Sequence, residues 1–127
     1  PETVTETERK ISALGGTVVR DPATDMLMLN GEFSASLVLA RCQSPAIGHY
    51  RWKVRFDTSL APDITVAIRL DQENKSILDY YLLPRLDFCR PRISLAERNP
   101  AELESYRFDN LDYLYGMAAR SRLRRAA

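Results

Sequence analysis

Hydrophobic and polar residues alternate most strictly between Tyr50 and Asp57. There Tyr50, Trp52, Val54 and Phe56 interleave with Arg51, Lys53, Arg55 and Asp57, the period of a strand with one dry and one charged face. After Leu60-Ala61-Pro62 the alternation resumes, with Ile64, Val66, Ile68 and Leu70 on one side and Thr65, Ala67, Arg69 and Asp71 on the other. Ile77 to Leu83 is almost continuously apolar and predicts a third strand. Read in order, the three form an antiparallel meander, the expected body of the domain.

The flanking segments extend this sheet. Val4, Ile11 and Leu14, spaced seven and three apart among polar residues, predict an amphipathic helix over residues 1–14, which Gly15-Gly16 stops. Thr17 to Arg20 and Met26 to Leu29 flank the turn-forming run Asp21-Pro22-Ala23-Thr24-Asp25 and predict a hairpin. Asn30-Gly31 is a second turn, leading into the apolar run Phe33 to Cys42. Beyond Pro84, an edge strand is expected at Arg92 to Leu95. Asn99-Pro100 reads as a helix entry, and Leu111, Leu114, Tyr115 and Ala118 line one face of a last helix. The expected fold is α+β, a single domain over residues 1–127. An antiparallel sheet of about six strands (17–95), a meander or partly closed barrel, is flanked by the N-terminal helix and a C-terminal helical segment (99–125).

Composition narrows the class. A chain of 127 residues with 45% hydrophobic and 28% charged residues has the make-up of a globular domain with one core. No apolar run nears the roughly 20 residues that span a bilayer, and the start is acidic, so a cytoplasmic protein with no membrane partner is expected. Beginning at Pro1, the chain reads as a fragment of a larger parent protein. Net charge is +1, but its distribution is uneven: PETVTETE opens the chain and RSRLRR nearly closes it. Fifteen of the 18 basic residues are Arg, as GC-rich coding or bidentate phosphate recognition would each produce. Cys42 and Cys89 lie in no metal-binding or redox spacing and are expected as free thiols.

Candidate chemistry is sparse. Pro62-Asp63 followed by Glu73-Asn74-Lys75 matches the PD…(D/E)xK pattern, in which two acids hold Mg²⁺ and the Lys orients the attacking water. In such nucleases the second acid and the Lys sit on a strand beside the first, whereas Glu73 and Lys75 read here as a hairpin tip. Asp57, Asp63, Asp71 and Asp79 invite a divalent-ion cluster but read better as strand-end residues on the wet side. His49, the lone histidine, sits in a turn, and Cys42 reads as a structural thiol despite adjoining Arg41. The remaining signal is electrostatic. Arg51, Lys53 and Arg55, with Arg69 from the next strand, would form a basic sheet face for phosphates, and Arg120, Arg122, Arg124 and Arg125 a second patch.

The phrases RWKVRFD, PDITVAIRLD, DYYLLPRLD and YRFDNLDYLYGMAAR resemble the C-terminal region of bacterial recombinase-family (resolvase/invertase-like) proteins, over about residues 15–125. The resemblance implies association with DNA. It brings no catalytic residue, because that family's nucleophilic serine domain, with its Tyr-x-Arg-x-Ser entry, is not in this chain. The expected function is therefore a non-catalytic, DNA-associated accessory domain that needs no cofactor. Two other readings stay open: a Mg-dependent nuclease using Asp63, Glu73 and Lys75, and a dimerisation or protein-interaction module using Tyr106, Tyr113, Tyr115 and an exposed strand edge.

Overall fold

The period-two segments do become strands, but not in the order that their sequence suggests. A computed structural model describes residues 2–46, 49–57, 59–85 and 91–126, and the side chains of residues 44–46 and 124–126 lie outside that set. The elements run α1 (Glu2–Ser12), β1 (Val18–Arg20), β2 (Leu27–Leu29), β3 (Phe33–Ala46), β4 (His49–Arg55), β5 (Ile64–Leu70), β6 (Ile77–Pro84), β7 (Arg92–Ala96), α2 (Ala101–Glu104), β8 (Arg107–Phe108) and α3 (Leu114–Ala126). The α+β class holds, with a helix at each end, and the sheet has eight strands and does not close.

Local turn chemistry sets the first half. Gly15 (φ +98°) and Gly16 (φ +90°) end α1 in the left-handed region. Gly16 has no substitute there, because a Cβ would stand 2.0 Å from Asn30 Oδ1, the oxygen that accepts the Thr17 N–H at 2.8 Å. Asn30 (φ 55°) and Gly31 (φ 63°) supply the two positive-φ positions of a tight turn between β2 and β3. The hairpin β1–β2 has the register Val18↔Leu29 to Arg20↔Leu27.

Strand β3, 14 residues long, serves two partners in succession. Ala35 to Ala40 pair with Ile64 to Arg69 of β5 in parallel, while Arg41 to Ala46 pair antiparallel with β4. Strand β4 then pairs with β7, not with β5. The expected Tyr50–Leu83 meander is thus corrected: only β5 and β6 pair as neighbours. The physical reason lies in β5, whose seven residues are all buried, the mark of a strand covered on both faces. Ile64, Val66, Ile68 and Leu70 face a core shared with Ile11 of α1 and Leu114, Met117 and Ala118 of α3. Ala67, with Tyr81 and Leu83 of β6, faces a second core closed by Trp52, Val54 and Leu95 of β4 and β7. Strands β4 and β7 are therefore a third layer.

Trp52 fixes that layer to the sheet. Its ring is buried, and its indole N–H donates to the Leu70 carbonyl at 2.7 Å. Asn74, at φ 59°, accepts the Cys42 N–H (2.6 Å) and donates to the Cys42 carbonyl (3.2 Å), continuing the β3 ladder where β5 has ended. Replacing Trp52 with Phe removes the donor and leaves a buried carbonyl unmatched. Urea denaturation is expected to show a loss of about 1–3 kcal/mol, and an unchanged midpoint would contradict the anchoring role.

Candidate nucleic-acid interface

The side chains of β4 alternate between the second core and solvent. Trp52 and Val54 point inward, and Arg51, Lys53 and Arg55 are exposed on the outer face. The pairings bring further cations to that face: Arg41 lies opposite Lys53, and Arg92 opposite Arg55. All five are exposed, and none is in an ion pair among the described residues. Neutral Gln43 sits opposite Arg51, and Ser94 opposite Lys53. Like charges directly across a strand pair repel and lower stability. Arg41–Lys53 and Arg55–Arg92 are two such pairs side by side, an arrangement that packing alone does not require.

Arg69 does not belong to this face, which corrects its expected place. It is buried at 5% exposure, with Nε and Nη2 donating to Asp79 at 2.8 and 2.6 Å and Nη1 donating to the Ala96 carbonyl at 3.0 Å. Its guanidinium lies 4.7 Å from the centre of the Trp52 ring and 5.4 Å from that of Tyr81. Burial pulls the Arg69 pKa down, but the hydrogen bonds and charge of Asp79 more than offset this and hold it above its ordinary value. Burial likewise pushes the Tyr81 phenol up to about 12, while its oxygen accepts from Asn99 Nδ2 at 3.0 Å. Arg69 thus supports β4 and β7 from beneath.

The terminal arginines are likewise apart from the basic face, because α3 packs on the opposite side of the sheet. Arg122 donates to the Glu32 carbonyl and lies over Phe33, and Arg120 contacts Met117 Sδ. The side chains of Arg124 and Arg125 lie outside the described residues.

The acidic candidates are scattered. Asp63 is buried at the start of β5, where Oδ2 accepts the Ser34 N–H at 2.9 Å and its own N–H donates to Ser34 Oγ at 3.0 Å. Glu73 and Lys75 lie past the other end of the strand, roughly 25 Å of extended chain away, exposed and 3.7 Å from each other. The PD…(D/E)xK residues are therefore not brought together. Asp57 accepts from Ser59 and Asp71 from Lys75 N–H, each within its own turn. Among the described residues no three His, Cys, Asp or Glu side chains form a metal-binding group. His49 is exposed at the start of β4, and burial raises the Cys42 pKa, as for a structural thiol.

Carboxylates do converge at one place that the sequence reading missed. Glu8 of α1 and Asp25 of the β1–β2 turn both bind Arg20, at 2.6 and 2.7 Å. The guanidinium fills the space between them. This triad stands on α1 and the β1–β2 edge, away from β4. The spacing Arg20-x₄-Asp25 across a turn was its only sequence signal.

Two stability outcomes follow. Asp79→Ala strands a buried guanidinium and is expected to cost about 3–5 kcal/mol, most of it regained in Arg69→Met/Asp79→Leu; a mild effect in urea denaturation would contradict the burial. Arg92→Thr relieves a like-charge pair and is expected to raise stability by roughly 0.2–1 kcal/mol at low salt, less at high salt, and a loss would contradict the repulsion.

No family model and no curated protein matches the chain. Among solved structures, the fold is similar to that of a bacterial homing endonuclease, I-Ssp6803I, with a TM-score of 0.63 and 13% identity, over 98% of this chain and 92% of that one.

Proposed function

We propose that this chain binds DNA through the outer face of β3, β4 and β7, with Arg41, Arg51, Lys53, Arg55 and Arg92 as the contacts to backbone phosphates. The observation that carries the reading is the pair of like-charged cross-strand couples, Arg41–Lys53 and Arg55–Arg92, on a face without ion pairs among the described residues. A polyanion relieves that repulsion, and phosphates accept from arginine in bidentate fashion. The fold shared with an endonuclease supports DNA as the polyanion. The phrase resemblance to recombinase-family proteins implies DNA association as well, and on that reading the domain would serve a larger DNA-processing protein.

A metal-dependent nuclease is the second reading, favoured by the same fold. The acids do not fit a divalent-ion site as they stand. Asp63 is held by Ser34, Glu73 and Lys75 lie beyond the far end of β5, and Arg20 occupies the space between Glu8 and Asp25. Binding without cleavage is therefore the primary reading.

Fluorescence anisotropy with a labelled random-sequence duplex tests both. Binding is expected to weaken with salt, with a log–log slope of about −4.5 if all five cations reach phosphates, and each neutralising substitution is expected to reduce the slope by about 0.9. Arg51→Glu/Lys53→Glu/Arg55→Glu is expected to abolish binding, and full affinity in that variant would remove the interface. The DNA is expected to emerge intact with Mg²⁺. Mg²⁺-dependent cutting lost in Glu8→Gln and Asp25→Asn would replace the primary reading with the second.

A further inference from the structure

The basic face has one feature that phosphate binding does not use. Gln43 is exposed on it, directly opposite Arg51 and two residues along the strand from Arg41. Its carboxamide adds no charge to a surface otherwise built for anions. A carboxamide offers a donor and an acceptor together. A phosphate can use only the donor, whereas the major-groove edge of adenine matches both, and arginine matches the two acceptors of guanine in the same way. Side chains directly opposite on antiparallel strands have Cβ atoms roughly 5 Å apart, so Gln43 and Arg51 form one adjoining pair of bidentate groups.

The ribbon that carries them has a suitable shape. Past Ala40, β3 leaves β5 and continues with β4 toward the Ala46↔His49 end of the hairpin. From Arg51 onward β7 flanks β4 on its other side, so the face is three strands wide there, and it is the β3 edge of the face, β3 with β4, that meets a major groove about 12 Å wide. Arg55 and Arg92 stand at the other end of the face, at the last pair of the β4–β7 ladder, which begins at Arg51↔Ala96. Among the described residues no Phe, Tyr or Trp ring stands on this side of β4, and its one imidazole, His49, lies at the strand's start, so the face has no row of rings on which successive unpaired bases would stack.

Resting on the DNA-binding reading above, we infer that the β3 edge of the face, β3 with β4, reads sequence in the major groove of duplex DNA, with Gln43 and Arg51 as base-contacting residues, Arg51 turning from a phosphate to a base edge in the preferred site, and Arg55 and Arg92 as backbone contacts. Gln43 selects adenine and Arg51 guanine, at neighbouring positions of one site.

Selection of bound duplexes from a randomised pool, followed by sequencing, tests this. The native chain is expected to enrich a short motif containing an adenine and a guanine, each preferred on the order of tenfold over other bases. Gln43→Ala is expected to flatten the preference at the adenine position alone, and Gln43→Arg to shift that position to guanine, an outcome that a structural role would not produce. Arg92→Ala is expected to weaken binding to all sequences and leave the motif intact. Thermal melting of each variant confirms folding. Binding without enrichment, or a motif unchanged in Gln43→Ala and Arg51→Ala, would overturn the inference and leave the DNA-binding reading standing. No binding to any duplex would overturn both.

Discussion

A strand buried on both faces needs a layer on each side, and β5 is such a strand. Helices α1 and α3 cover one face, and the other would expose Thr65, Ala67, Arg69 and the ring of Tyr81 if β4 and β7 did not cross it. That requirement decides where the charged side of β4 points. With Trp52 and Val54 turned down onto β5 and β6, the alternation of the strand leaves Arg51, Lys53 and Arg55 facing out. The buried pair Arg69–Asp79 belongs to the same constraint, since Arg69 lies under the Trp52 ring and holds the Ala96 carbonyl of β7. Folding the core and presenting the basic face are therefore one event.

The distribution of charge follows from this layering. Cations that face inward or pack on helices have partners: Arg69 with Asp79, Arg20 with Glu8 and Asp25, Arg107 with Glu104 and Asp109. A cleft of about 550 Å³ beside Arg69 and Arg107 is lined by these matched charges together with Glu97 and Arg98. The outer face of β4 differs, because its cations lie opposite one another. Surface electrostatics of this kind weakens the folded state slightly while attracting a polyanion, which accounts for a face that stability alone would not select.

Much of the fold was legible because it is local. The glycines that end α1, the Asn30-Gly31 turn, the alternation of β4 and the edge strand β7 all follow from neighbouring residues. The parallel pairing of β3 with β5 was not legible, since it joins Ala35 to Ile64 across an intervening strand and no turn dictates it. One error in topology then displaced a residue: in a meander Arg69 would lie beside Arg51, whereas in the three-layer arrangement it is beneath Trp52. Arg51, Lys53 and Arg55 were placed on one face by period alone. Arg41 and Arg92 were missed because only the register sets them opposite Lys53 and Arg55. The alternation Arg41-x-Gln43 was the available clue. The tandem PD…(D/E)xK residues were adjacent only in sequence, because a full strand separates Asp63 from Glu73.

The most direct test of where DNA lies is amide hydrogen exchange of the full chain with and without a saturating duplex. Added protection is expected across residues 41–43, 49–55 and 92–96, with α1 and the β1–β2 hairpin unchanged. Protection centred on Glu8, Arg20 and Asp25, with β4 unaffected, would contradict binding at the basic face.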